Sequence, residues 1–184
     1  MSRKKFKLYN YNYDHKYEKI EGTIGFFCRH CFKPHYFKID NMYINNYRYY
    51  NNLMVDNKYK FICEECKYYN EWDEFIDPNI LKSIALLNKK NYITYCCCEG
   101  HNNKCADAYI LFKYKYDIIE KRIDLLKYWY SKKSYYITKD KIVVATEIRC
   151  NLDISLYKRM KDLYKWVKDL PYNEDGNHEY SINF

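Results

Sequence analysis

The sequence predicts an α+β chain: β-hairpins built round paired cysteines, followed by a small domain of αββαββα order. Three observations predict it. Two Cys-x-x-Cys pairs, Cys28-Arg29-His30-Cys31 and Cys63-Glu64-Glu65-Cys66, each stand between strand-like segments. From Pro78 onward, stretches with apolar residues at helical spacing alternate with pairs of short apolar runs. The 184 residues are 48% hydrophobic, enough to bury a real core in one or two small domains.

Residues 1–21 form a basic, tyrosine-rich arm without a clear period, either extended or docked as a first strand. Residues 22–77 read as hairpins with an insertion. Thr23 to Phe27 leads into the first cysteine turn and Tyr36 to Ile39 leads out, while Lys58 to Ile62 and Lys67 to Phe75 flank the second. The 31 residues between Cys31 and Cys63 exceed a minimal hairpin pair, so Tyr43 to Tyr50 and Asn51 to Val55 are available there as strands or a loop. Residues 78–171 form the second domain. Asp77 suits a helix cap and Pro78 the first turn. Ile80, Ile84 and Leu87 then recur at helical spacing up to Lys90. Tyr92 to Cys97 and Ala108 to Lys113 are strands, with a tight connection from Glu99 to Cys105. Asp117 to Tyr130 reads as a helix with Ile118, Ile119, Ile123 and Leu126 on one stripe. Ser134 to Thr138 and Lys141 to Arg149 form a hairpin. Asp153 to Leu170 is an amphipathic helix stopped by Pro171. Its apolar stripe is Leu156, Met160, Leu163 and Val167, and its wet face is Lys158, Arg159, Lys161, Lys165 and Lys168. Residues 172–184 are a polar tail.

The cysteine pairs carry the chemistry. A two-residue gap lets both thiolates of a pair turn onto one ion, at about 2.3 Å each. Two pairs supply four ligands and leave no position for water or substrate, which is the pattern of a structural Zn2+ site in a zinc ribbon. The expected ligands are Cys28, Cys31, Cys63 and Cys66. The nine cysteines do not form a secreted disulfide framework: the number is odd, three are consecutive and four form metal-type turns. No apolar run follows the basic N-terminus, and none approaches the roughly 20 residues that span a bilayer. The expected setting is cytoplasmic and reducing, away from membranes.

Cys96-Cys97-Cys98-Glu99-Gly100-His101, followed by Cys105, is the second cluster. Three readings stand. The cysteines are small buried hydrophobes and His101 holds the turn. Alternatively, Cys98, His101 and Cys105 bind a second metal, with Cys97 or Cys150 completing the set. In the third, the Cys98-Glu99-Gly100-His101 turn is the centre of an enzyme acting on RNA or a nucleotide, with Cys98 as thiolate and His101 or Glu99 handling the proton. The stretch Ile84 to His101, with Tyr-Ile-Thr-Tyr, Cys-Cys-Cys-Glu-Gly-His and the return strand Ala108 to Phe112, resembles an uncharacterised family of low-GC bacteria and their phages with a Cys-Cys-x-Gly-His turn. That resemblance covers about 30 residues; it implies a source and a small domain, not a reaction. A second similarity runs to the wybutosine-synthesis methyltransferase family, which places a Ser-Cys-Ser-Gly-Arg turn between comparable strands; here the serines are cysteines and the arginine is His101.

Net charge is +8, and residues 1–60 carry 12 Lys and Arg against 5 Asp and Glu. A basic excess points to polyanions or an acidic protein surface and argues against a DNA mimic. The 25 tyrosines reflect codons rich in A and T as well as any aromatic surface. Arg29, Lys33 and Arg48, interleaved with Tyr36 and Tyr47, are the expected partner-binding residues: cations pair phosphates and rings stack on unpaired bases. The chain has four glycines, no Walker loop, no dinucleotide-binding glycine pattern and no deaminase signature. The reading is therefore a zinc-stabilised binding protein of phage or mobile-element type, directed at nucleic acid or a nucleic-acid-processing protein, including an anti-CRISPR or other anti-defence inhibitor.

Overall fold

The computed structural model describes residues 11–14, 19–43, 54–55, 58–100, 107–138, 141–151, 153–174, 176 and 180–183. The fold is α+β, as the sequence predicts. Two compact units divide it, Met1–Ala85 and Leu86–Phe184.

In the first unit, β1 (Tyr11–Asp14), β2 (Lys19–Phe27) and β3 (Pro34–Tyr43) form one antiparallel sheet. A second sheet contains β4 (Met54–Val55), β5 (Lys58–Ile62) and β6 (Tyr69–Trp72). The docked alternative for the N-terminal arm is the one observed over Tyr11–Asp14, which pairs with Lys19 to Gly22. Strand alternation builds the core. Tyr59 and Phe61 point inward from β5, while Ile62 is exposed. Phe26 is fully buried and its ring lies 5.8, 5.0, 5.8 and 6.1 Å from those of Phe37, Tyr59, Phe61 and Trp72.

Beyond β1, the edge of β2 is taken over by the chain that leaves β6. Gly25 and Ile76 exchange both backbone hydrogen bonds, at 3.0 and 2.8 Å. That approach requires glycine: a Cβ on Gly25 would stand 2.6 Å from Leu81 Cδ2 and 3.0 Å from the Ile76 carbonyl oxygen. Just downstream, the Asp77 carbonyl accepts from Leu81 N–H at 3.2 Å, so helical bonding starts where the sequence places the cap. Helix α1 spans Leu81–Lys89, and the boundary between the two units falls inside it. It ends on Asn91, held in the left-handed region at φ 67°, with Tyr92 N–H reaching back to Leu87 O at 2.9 Å.

The second unit joins two hairpins in one antiparallel sheet. Strands β7 (Thr94–Cys98) and β8 (Asp107–Phe112) form the first, β9 (Trp129–Ile137) and β10 (Lys141–Asn151) the second, and β8 pairs with β10. Between the hairpins, α2 covers only Asp117–Arg122, followed by a 3-10 turn over Ile123–Leu125. The predicted helix to Tyr130 is thus too long. Trp129 and Tyr130 enter the ladder opposite Cys150 and Arg149, and the Trp129 indole donates to Arg159 O at 3.3 Å. Ladder pairing of aromatic residues outweighs helical continuation there.

Helix α3 (Leu156–Asp169) buries Met160, Leu163 and Val167 as expected. Its last carbonyls are capped by the buried Lys90 ammonium, which donates to Lys168 O at 2.7 Å and to Leu170 O. Two corrections concern this region. Arg159, assigned above to the wet face, is 2% exposed. And the polar tail contains a strand, β11 (Tyr180–Asn183), paired with Lys141 to Val144 of β10.

Gly25→Ala should lower unfolding stability by about 1–3 kcal/mol, the usual cost of forcing a group into a filled site. Denaturant titration checks this; an unchanged midpoint would mean that the β2–Ile76 contact yields freely.

Candidate metal centre

Both cysteine pairs adopt one local structure. At the first, Cys28 N–H donates to Lys33 O at 2.9 Å and Phe32 N–H to Cys28 O at 2.8 Å. At the second, Cys63 N–H donates to Tyr68 O and Lys67 N–H to Cys63 O, both at 2.9 Å. The residue after each second cysteine is left-handed, Phe32 at φ 59° and Lys67 at φ 58°. A left-handed residue there turns the chain back into a strand, closing each knuckle as a hairpin tip.

The two tips meet. All four sulfurs of Cys28, Cys31, Cys63 and Cys66 lie within 4.8 Å of one another. Cys28 Sγ is 3.5 Å from Cys66 Sγ, and Cys31 Sγ is 3.7 Å from Cys63 Sγ. A tetrahedron with metal–sulfur bonds near 2.3 Å has edges of about 3.8 Å, so the spacing fits one four-coordinate ion. The donor set fits too. Burial alone raises the Cys28 thiol, but backbone N–H groups of Cys31 and His30, the Asn70 amide and Cys66 outweigh it and bring it down to about 6. Cys31 goes the other way: burial, with the three neighbouring sulfurs, pushes it up to about 12. Four thiolates this close repel one another unless a cation sits among them.

Asn70 ties the tips together. It is fully buried in β6. Its Oδ1 accepts from Arg29 N–H of the first knuckle at 2.8 Å. Its Nδ2 donates to Tyr68 O of the second at 3.0 Å and to Cys28 Sγ at 3.6 Å. Sequence reasoning missed it. The signal was a polar residue at an inward-facing strand position, between the outward Tyr69 and Glu71.

The expected partner-binding residues are more engaged than the sequence suggests. Lys33 pairs with Glu65 across the knuckles. Arg29 lays its guanidinium over the Trp72 ring, 4.5 Å from the centroid. Tyr36 is half-buried in β3. Arg48 and Tyr47 lie outside the described residues.

At the second cluster, Cys98 is buried and its Sγ accepts from Gly100 N–H at 3.3 Å. The buried Arg159 donates to Glu99 O at 2.9 Å, Gly100 O at 3.0 Å and Ile154 O at 3.0 Å. Cys97 pairs opposite Ile110, and Cys150 is buried in β10. His101 and Cys105 lie outside the described residues. Among the described residues, the four-cysteine group is the one set of metal-capable side chains gathered at ligand distance. No described helix is long and apolar enough to cross a membrane.

The chain matches no known protein family, no curated protein and no solved structure.

Asn70→Ala removes a hydrogen bond to a ligand sulfur and the link between the knuckles. It should weaken metal binding about 10- to 100-fold, the usual effect of losing such a support. Competition with a chromophoric chelator measures this; affinity equal to that of the unsubstituted protein would reduce Asn70 to a packing role.

Proposed function

We propose that this chain is a zinc-stabilised binding protein whose partner is nucleic acid or a protein that processes it. The closed four-sulfur site carries the reading: its ligands fill a tetrahedron, so its chemistry is architectural. Tetrahedral four-sulfur sites suit zinc or an iron–sulfur centre. Zinc has no redox chemistry and is the ion most often used to clamp two Cys-x-x-Cys turns. The tips it would clamp carry rings and cations in fixed positions.

The alternative, an enzyme centred on the Cys98-Glu99-Gly100-His101 turn, draws less support. A thiol that is buried and accepts a backbone hydrogen bond, beside carbonyls held by a buried guanidinium, serves as a structural turn. In the setting that the sequence resemblance implies, low-GC bacteria and their phages, a basic binder of this kind would act on the nucleic acid or nucleases of host defence, an anti-CRISPR role among them.

Elemental analysis should find one zinc per chain. Such a site contributes on the order of 10 kcal/mol of folding free energy, above the margin of a small domain, so Cys63→Ser should unfold the first unit. Protein purified without zinc or iron would remove the basis of the reading. A second equivalent of zinc, lost in Cys98→Ser, would place a second metal at the other cluster.

Capture of partners with and without nuclease separates the two partner classes. Affinity should fall with salt, by about 0.7 unit of logarithmic slope for each phosphate neutralised on a single strand. Reversing Arg29 and Lys33 to glutamate should weaken binding and flatten that slope, whereas reversing Lys161 and Lys165 should do much less. Binding indifferent to salt would count against a polyanionic partner.

A further inference from the structure

Three large apolar side chains stand in water beside the metal centre. Ile62 is 62% exposed, Tyr69 52% and Tyr68 46%. Ile62 and Tyr69 are directly opposed across the β5–β6 ladder, so their side chains leave the sheet on the same outer face. The Tyr68 ring lies parallel to the imidazole of His30, with centroids 5.5 Å apart and planes 17° from parallel. His30 comes from the first knuckle and Tyr68 from the second, so this stack bridges the two tips. Both flanking tips are pinned by the backbone bonds and by Asn70 described above.

Cations flank these rings along the chain. Arg29 precedes His30 and Lys67 precedes Tyr68, both are exposed, and Lys33 neutralises Glu65. With Glu64 included, the tips carry three cations against two carboxylates. Flat exposed rings with cations at their margin suit unpaired bases, each of which offers a π face, and phosphates that follow the cations. A base pair inside a duplex hides those faces.

We propose that the His30–Tyr68 stack and Tyr69, with Ile62 beside them, form a base-stacking shelf for single-stranded nucleic acid, and that Arg29 and Lys67 take its phosphates. This deepens the function proposed above and rests on it. The shelf differs from the partner surface expected from sequence: Tyr68 and Tyr69 replace Tyr36 and Tyr47 as the stacking rings, and Lys67 joins Arg29.

The test uses the full chain with its metal content verified. Fluorescein-labelled oligothymidylate and oligouridylate of about twelve nucleotides, within the site size of known single-strand binders, are titrated by anisotropy beside a duplex of equal length. Single strands should bind in preference to duplex. Tyr68→Ala and Tyr69→Ala should each weaken binding about tenfold or more, on the scale of one lost base stack. Tyr68→Phe, which keeps the ring, should bind like the original. Unchanged zinc content and thermal midpoint in each variant show that the tips remain folded. If single strands bind equally to the alanine variants, the shelf is overturned while the nucleic-acid reading stands. Preference for duplex also overturns it. If no oligonucleotide binds and a protein partner survives nuclease treatment, the shelf fails and the protein arm of the function holds.

Discussion

The close approach of four sulfurs is the constraint on which the first unit depends. Each knuckle is a local structure that its own backbone bonds can form. Their meeting is not local: Cys28 and Cys66 are far apart in sequence yet in van der Waals contact through sulfur. Thiolates do not gather without a cation, and the core beneath is small, centred on Phe26 and its ring neighbours. The Gly25–Ile76 bridge joins β2 to the chain that leaves β6, while the Asn70 hydrogen bonds and the Lys33–Glu65 pair join the first knuckle to the second and its strand. Together they fix the direction from which each tip arrives, and the four sulfurs lie where the two directions converge.

Much of the architecture is legible in the sequence because it rests on short-range rules. Strand β5 runs over the stretch predicted, Lys58–Ile62, since alternation and a following cysteine turn leave little choice. Asp77-Pro78 marks the turn that leads into α1, whose regular helix begins at Leu81. The gathering of the four cysteines, which could hold a metal ion, is legible because Cys-x-x-Cys spacing is itself geometry. What the sequence hides depends on tertiary contact. Asn70 looks like one more polar residue after a knuckle until the strand register turns it inward. The predicted helix through Tyr130 stops early because Trp129 finds a partner in β10, 21 positions further along. Strand β11 has no strong pattern of its own and is defined by the free edge of β10.

Arg159 shows the limit of periodicity most clearly. A helical wheel places it among lysines, and helices commonly keep such residues wet. Here the guanidinium enters the core and satisfies three backbone carbonyls. Desolvation by burial lowers its proton affinity, opposed by the charges of Cys150, Glu99 and Cys98 nearby. Lysine would not repeat this geometry, since its donors radiate from one nitrogen whereas the guanidinium spreads its donors over a planar fork. Glu99 and Gly100, which follow β7, are therefore held by a residue 60 and 59 positions away, a link that the cysteines alone do not reveal.

The sharing of one β10 edge has a consequence for how the second unit breathes. Strand β9 lines one side of β10 almost throughout, while the other side is divided between β11, at Lys141 to Val144, and β8, at Glu147 to Asn151. Loss of the β11 segment leaves both remaining ladders whole. The sheet therefore has a detachable flap: amides at the start of β10 that face β11 can exchange with solvent through a small local opening, whereas those that face β8 or β9 stay bonded until a larger opening.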